Sequence, residues 1–142
     1  MSEQDFSQRL ILVIRNDIEP WQVANTIAHI SAYIGNKLGA TFGTGDNFQT
    51  CDNVMYPRNS QYPIIIKRAS SHEQLKNFSE KVRASGLLFH VFIREMIDHT
   101  NDADLQEVLG QKLDSDVELL GVGVFGPNNQ VTVLSKKFGL WA

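Results

Sequence analysis

The sequence feature that most constrains the fold is a continuous apolar run, followed at once by a polar turn and an amphipathic segment. The run is Leu10–Ile14, and its branched residues do not alternate with polar ones. This pattern is typical of a strand buried on both faces, in a sheet that helices cover on either side. The polar turn, residues 15–21, would then lie where such sheets bind ligands.

The segment from Gln22 to about Gly35 has the periodicity of a helix with three different faces. A bulky apolar face and a face of small residues are both expected to be buried. The third face is polar, and all of its side chains can form hydrogen bonds, which makes it a candidate for chemistry. An ordinary polar surface with a partly satisfied histidine explains the same face equally well. The bulky face comprises Val23, Ile27, Ile30 and Ile34, the small face Ala24, Ala28, Ser31 and Gly35, and the polar face Gln22, Asn25, Thr26, His29 and Tyr33.

Three further strands are predicted downstream. Ile64–Ile66 is a buried strand, the capping box Ser70-x-x-Glu73 starts a helix, and Leu87–Ile93 is the next strand. Two successive strand-helix-strand units imply parallel strands. Val117–Phe125 is a last strand, followed by a terminal helix. The sequence therefore predicts an α/β fold with three layers, α/β/α, in which the middle layer is a mixed, four-stranded, mostly parallel sheet.

Length and composition predict one ordinary globular domain. The chain has 142 residues, of which 42% are hydrophobic and 20% charged, and we expect a single domain over residues 1–142 with a loose tail at 1–7. Residues 38–62 lose all periodicity and are rich in Gly, Asn, Asp and Pro, which predicts a long connection or lid. The formal charge of −3 gives no general attraction to nucleic acid. Without a signal peptide or a long apolar run, the expected location is cytoplasmic.

The densest polar cluster follows the third strand, from Arg94 to Asp102. Asp98, His99 and Asp102 are metal-ligand types, but the cap of a following helix explains them better, so we expect no metal and no cofactor. Glu95 directly follows a buried strand. It is therefore expected at the same sheet edge as the residues that follow the first strand, Asn16 and Asp17. The cations expected at this edge are Arg15, Lys67, Arg68 and Arg94.

Several segments together resemble the type II peptidyl-tRNA hydrolases, a compact α/β family that cleaves the ester between a peptide and tRNA. They are the run from Ile11 to Ile18, then Ala28-His29, Ile64 to Lys67, Ala84 to Leu87, Ile93-Arg94-Glu95 and Leu120 to Gly123. The chain is also similar to an uncharacterised family of small bacterial proteins distantly related to those hydrolases. The features shared there are Pro20-Trp21-Gln22, Asn25-x-x-Ala28, Met96 with Thr100, and the ending from Gly121-Val122-x-Val124-x-Gly126-Pro127 to Lys137-x-Gly139-Leu140.

The hydrolase resemblance implies a catalytic site of Glu95, His29 and Asn25. His29 matches the family histidine, and Glu95 stands in place of the family aspartate after Arg94. Glu95, directly or through His29, would activate water, while Asn25 and helix N–H groups would stabilise the oxyanion. The expected substrate-binding residues are Asn16, Asp17, Trp21, Gln22 and Arg94.

The sequence departs from the hydrolases between the first strand and the first helix. The family has a glycine-lysine-glycine-lysine run there, whereas this chain has Glu19-Pro20-Trp21-Gln22. No lysine remains to hold phosphate, and Trp21 offers a flat surface for stacking instead. Two functions therefore stay open: a module that binds a small molecule or a protein, or an ester hydrolase. The expected partner is an unidentified small ligand or the 3′ end of tRNA, with no membrane, and a homodimer also stays open.

Overall fold

A computed structural model describes residues 4–141, and its main feature is one four-stranded sheet with helices on both faces. The strands are β1 (Gln8–Arg15), β2 (Phe48–Gln49), β3 (Met55–Tyr56), β4 (Ile64–Ala69), β5 (Leu88–Ile93) and β6 (Leu119–Pro127). The helices are α1 (Pro20–Leu38), α2 (His72–Ser85), α3 (Arg94–Asp98), α4 (Asp102–Gly110) and α5 (Asn128–Leu134). Short 3-10 turns lie at Gly39–Phe42 and Asp114–Asp116.

The sheet is mixed, as predicted, but the expectation that it is mostly parallel is wrong for its neighbouring pairs. The strand order is β4-β1-β6-β5. β1 is parallel to β4, whereas β6 lies between β1 and β5 and is antiparallel to both. β1, β4 and β5 do point the same way, but β5 never contacts β1 as a strand partner.

The position of the connection between β5 and β6 explains this arrangement. α3, α4 and the turn that follows stay at the edge where β5 ends, because the N–H of Arg94 bonds to the carbonyl oxygen of Glu118 just before β6. β6 therefore starts where β5 stops and must run back. Nothing in the hydrophobic pattern of β6 reveals this direction.

Helix α1 is rotated relative to the prediction. Ile30 and Ile34 are fully buried as expected, but Ala24 and Ala28 are exposed, so the expected burial of the small-residue face is wrong. Thr26 is fully buried instead. Its hydroxyl donates to the carbonyl oxygen of Gln22 at 2.7 Å, so its burial leaves no polar group unpaired.

Apolar side chains pack on both faces of the sheet. Even-numbered residues of β1, such as Leu12, contact α1, whereas odd-numbered ones, such as Val13, lie with Phe78 of α2 and Val131 of α5. This alternation follows from the two-residue period of a strand. No helix within residues 4–141 is long and apolar enough to cross a membrane.

The two outer strands of the sheet differ in whether another segment of the chain pairs with their outer edge. The C-terminal segment runs beside β4, where Arg68 N–H bonds to the Gly139 carbonyl and Trp141 N–H bonds to the Ile66 carbonyl. β5, at the other end, pairs with β6 alone. Apart from that ladder, the backbone of residues 88–92 forms no hydrogen bond with any other residue of 4–141.

The connection over residues 38–62 contains a small hairpin of β2 and β3, in which Phe48 pairs with Tyr56. Residues 4–7 have no regular secondary structure, but Asp5 N–H bonds to the Gln61 carbonyl. Residues 1–3, the rest of the expected tail, lie outside the described residues.

Candidate functional site

The carboxyl edge of the sheet brings together the ends of β1 and β5 and the start of β6. Arg15, the last residue of β1, lies level with Ala69 of β4, and Ile93 lies beside Leu119. Because β6 is antiparallel, the residue just before it, Glu118, reaches the same edge. The polar residues that follow β1 and β5 therefore meet a carboxylate that precedes β6.

A chain of ion pairs joins these strand ends. The Arg15 guanidinium, whose side chain is 10% exposed, donates from Nε to Asp17 Oδ1 at 2.9 Å and from Nη2 to Oδ2 at 3.0 Å. Its Nη1 donates to Glu118 Oε1 at 2.7 Å. Arg94 Nε donates to Glu118 Oε2 at 3.1 Å. Two cations and two carboxylates thus neutralise one another.

These contacts keep both carboxylates charged. The hydrogen bonds from Arg15 lower the pKa of Asp17, and those from Arg94 and then Arg15 lower the pKa of Glu118. Both arginines are committed to these carboxylates. Neither arginine therefore offers an unpaired positive charge to an anionic substrate.

Glu95 lies in α3 and is almost completely buried, with 3% of its surface exposed. Its Oε1 accepts a hydrogen bond from Lys112 Nζ at 2.5 Å. Its Oε2 is buried and has no hydrogen-bond partner among residues 4–141. Buried polar atoms normally have a partner, so this oxygen is an exception.

His29 lies on the exposed face of α1, where its ring stacks on Phe92 of β5 with 5.1 Å between centroids. One turn further, Tyr33 stacks on His90 at 4.3 Å. Burial, helped by the neighbouring His29, lowers the pKa of His90, so its ring is neutral at pH 7.

The structure brings some of the predicted site residues together and leaves others apart. Asp17 and Arg94 share one ion-pair chain through Glu118. No hydrogen bond or ion pair within residues 4–141 joins His29, Glu95 and Asn25, the predicted catalytic residues. Their catalytic role stays a prediction.

The other predicted binding residues lie at the start of α1. Asn16 is exposed, and its N–H bonds to the carbonyl oxygen of Ala69 at 3.0 Å. The Gln22 side-chain oxygen accepts the N–H of Glu19 at 3.2 Å, which caps the helix. Trp21 is 59% exposed. Its large ring therefore offers free surface to a ligand.

The expected position of Lys67 and Arg68 at the carboxyl edge is wrong, because β4 extends to Ala69. Lys67 lies opposite Val13 in mid-strand and donates to the Ser135 carbonyl oxygen at 3.0 Å. Arg68 donates to the carbonyl oxygen of Leu140. Both cations therefore face the C-terminal part of the chain.

Sequence reasoning missed two residues of this region. Glu118 would have been found if β6 had been recognised as antiparallel, because a charged residue just before a buried antiparallel strand reaches this edge. Lys112 lies after α4 in a stretch without a motif, and no signal in the sequence connects it with Glu95. Within residues 4–141, no three side chains of His, Cys, Asp or Glu are grouped so as to hold a metal ion.

The fold and this edge define a class: a mixed α/β protein with a four-stranded sheet, whose carboxyl edge is closed by ion pairs. The chain belongs to the family described as "Protein of unknown function (DUF2000)", whose model matches residues 8–142. Membership of an uncharacterised family is thereby confirmed. The match does not link the chain to the peptidyl-tRNA hydrolases, so that resemblance stays a prediction.

A solved structure of a protein of unknown function from Agrobacterium tumefaciens strain C58 has a similar fold. The TM-score is 0.83 at 19% sequence identity, and the alignment covers 97% of this chain and 100% of that one. At this identity the likeness shows a shared fold alone. No curated protein matches the chain.

Proposed function

We propose that the protein is a binding module whose partner is an extended peptide segment of another protein. The observation that carries this proposal is the open outer edge of β5 beside the exposed rings of α1. The peptide adds a strand to β5, and the rings of α1 contact its side chains. Strand addition of this kind is a common mode of peptide recognition.

The edge of β5 has the properties that strand addition needs. Residues 88–92 make no backbone hydrogen bond outside the ladder with β6 within residues 4–141. The strand, Leu88–Ile93, contains no charged residue, glycine or proline. Proteins usually protect an outer strand with such residues or by covering it, as the C-terminal segment covers β4 here.

The face of α1 next to this edge presents four side chains spaced one turn apart: Trp21, Asn25, His29 and Tyr33. Trp21, His29 and Tyr33 are exposed, and His29 and Tyr33 lie directly over β5. Aromatic side chains contribute most of the binding energy at many interfaces. In this proposal Asn16 and Trp21 form the far end of the surface, near the strand ends.

The proposal also includes a relationship between this fold and that of the type II peptidyl-tRNA hydrolases. The order of segments that resembles the type II peptidyl-tRNA hydrolases supports a three-layer α/β/α domain of that type in which hydrolysis has been lost. The neutralised Arg15 and Arg94 support this loss. A hydrolase of a polyanion needs cations that are free to bind phosphate.

The test of the binding proposal is selection of short random peptides on the intact protein, followed by NMR mapping. We expect selected peptides to slow hydrogen exchange of β5 amides and to bind about tenfold more weakly to Tyr33→Ala. Phe48→Ala, an exposed ring on the hairpin, is the matched control and should leave affinity unchanged. Peptides that perturb another surface, or no selected peptide at all, would contradict the proposal. A second copy of the chain is the alternative occupant, and sedimentation would reveal it as a dimer.

The second candidate is an ester hydrolase in which Glu95, with His29 and Asn25, activates water at a peptidyl-tRNA ester. The unpartnered Oε2 of Glu95 favours it, because a general base needs a free lone pair. The measurement is release of peptide from peptidyl-tRNA. Glu95→Gln should abolish turnover, whereas Asp98→Asn, which changes an exposed neighbouring carboxylate, should not. Wild-type protein without turnover, or turnover that survives Glu95→Gln, would exclude this site.

A further inference from the structure

A peptide strand added to β5 presents side chains to both faces of the sheet, because successive residues of a strand point in opposite directions. On one face these side chains meet the rings of α1. On the other face they meet Phe89, Val91 and Ile93, the β5 side chains that pack in the same core cluster as Phe78 of α2. This second face therefore contributes to which peptide is recognised.

A cavity lies on the second face, at the carboxyl end of β5. Its volume is about 230 Å³, and most of its lining side chains are apolar. An apolar cavity of about 150 Å³ is large enough to hold benzene, so this one has room for one leucine, methionine or phenylalanine side chain. The apolar lining residues are Val91 and Ile93 of β5, Met96 of α3, Leu109 of α4, and Val117 and Leu119 around the start of β6.

Val91 connects this cavity with the open edge of β5. Its side chain lines the cavity and is only half-buried. A residue of an added strand directly opposite Val91 would have its Cβ atom about 4.5–5.5 Å from that of Val91, on the same face of the sheet. The side chain of that residue can therefore reach the cavity.

Two charged residues also line the cavity, and they differ in whether their charge is paired. The Asp114 carboxylate accepts a hydrogen bond from Lys76 Nζ at 2.6 Å. Arg83 of α2 is exposed and lies over the Phe89 ring, with 5.2 Å between its Cζ and the ring centroid. Arg83 forms no ion pair or side-chain hydrogen bond with any residue of 4–141, so its N–H groups are free for another anion.

We infer that the partner peptide carries an apolar anchor residue and, two positions away on the same face, an acidic residue. The anchor fills the cavity beside Val91, and the acidic side chain lies opposite Phe89, where it pairs with Arg83. In strand addition, pockets for alternate side chains give the specificity, and a guanidinium binds a carboxylate with two parallel hydrogen bonds. This inference rests on the proposed strand addition at β5 and names the peptide that this edge selects.

The anchor is tested with peptides selected on the intact protein, in which alanine replaces each position in turn. We expect one apolar position at which alanine weakens binding about tenfold, since the burial of a large side chain is lost. Leu109→Trp narrows the cavity from the side of α4 and should abolish the advantage of the anchor over alanine. Leu113→Trp, the same change at an exposed position, is the control and should preserve it.

The acidic position is tested by reversing the charge of Arg83, which carries little risk to folding because this side chain is exposed. We expect Arg83→Glu to weaken binding of the acidic peptide about fivefold, and to favour a peptide with lysine at the acidic position. Lys81→Glu, an equal change of charge at an exposed position of α2, is the control and should not reverse this preference.

Hydrogen exchange of the β5 amides distinguishes failure of this inference from failure of strand addition. Peptides that slow this exchange, but tolerate alanine everywhere and respond alike to Arg83→Glu and Lys81→Glu, would overturn the inference and leave strand addition in place. An anchor that Leu109→Trp does not affect would overturn its assignment to this cavity. Peptides that leave the exchange of β5 unchanged would overturn both proposals.

Discussion

Gly121, like Gly123 two positions further along β6, lies where β6 and α1 approach each other closely. A Cβ atom on Gly121 would lie 2.6 Å from Thr26 Cγ2, 2.8 Å from Ile14 Cδ1 and 3.1 Å from Ile30 Cδ1. All three neighbours are fully buried, so they have little room to move.

We therefore expect Gly121→Ala to lower the free energy of unfolding by about 1–3 kcal/mol through overpacking. Gly35→Ala is the matched change, because no atom lies within 4 Å of its new methyl group. That variant should gain about 0.5–1 kcal/mol from helix propensity. Urea unfolding of both variants measures the difference, and similar values for the two would disprove the close approach of α1.

Glu118 connects the two arginines of the carboxyl edge, and its removal would leave the largely buried charge of Arg15 with one partner fewer. We expect Glu118→Gln to destabilise the protein by about 1–3 kcal/mol at neutral pH. The pKa of Glu118 is lowered from its ordinary value of 4.5, so its stabilising effect is present above that pH and is lost as the pH falls through the lowered value.

The stability difference between wild type and Glu118→Gln should therefore shrink below about pH 4.5. Denaturant unfolding at several pH values measures it. Glu107→Gln, an exposed carboxylate on α4, should change stability little at any of them. A difference that stays constant on acidification would show that Glu118 acts by packing and not by charge.

At the scale of elements, the C-terminal segment acts as a cover for β4. Its backbone supplies hydrogen bonds to Arg68 and Ile66, and Phe138 anchors it against Phe78 with 5.3 Å between ring centroids. Without residues 139–142, the edge of β4 would be open to pairing with other chains.

Truncation after Phe138 should cost about 2 kcal/mol, since two backbone hydrogen bonds are lost at roughly 1 kcal/mol each. It should also increase concentration-dependent association in light scattering. Leu140→Ala keeps the backbone contacts and changes an exposed side chain, so it should do neither. A truncated protein that stays as stable and as monodisperse as the full chain would refute the covering role.

The helices and strands also show how much of the fold can be predicted from the sequence. The four strands of the main sheet and α1, α2 and α5 follow from hydrophobic runs, caps and breakers, because these signals are local. The predicted capping box of α2 is wrong by one residue, since Ser71 and not Ser70 is the N-cap and accepts the N–H of Gln74. The direction of β6 depends on where α3 and α4 lie, which is a tertiary property. The rotation of α1 depends on Gly121, because the missing side chain leaves room for Thr26 between the helix and β6. The hydrophobic periodicity of the helix does not reveal that this space exists.

At the scale of the whole molecule, the candidate site could be predicted only in part. Strand ends placed Asp17 and Arg94 at one edge correctly, because parallel direction follows from crossovers. Glu118 and Lys112 come from distant segments, and they change the chemistry by occupying Arg15, Arg94 and Glu95. A single sequence does not reveal which charged residues of distant segments pair with each other in the fold.

The charge distribution of the whole chain leads to the last prediction, which concerns tRNA. The formal net charge is −3, and the arginines of the carboxyl edge are paired with Asp17 and Glu118, so we expect no more than two phosphate contacts from the remaining cations. Each phosphate contact on a single strand contributes about −0.7 to the slope of log affinity against log salt. Two contacts therefore give a slope of roughly −1.4.

We expect weak tRNA binding with a slope no steeper than about −2 when filter binding is measured across salt concentrations. A slope near −4 or steeper would require about six phosphate contacts. That result would mean that tRNA displaces Asp17 and Glu118 from their arginines, and it would restore the hydrolase as the better account of this protein.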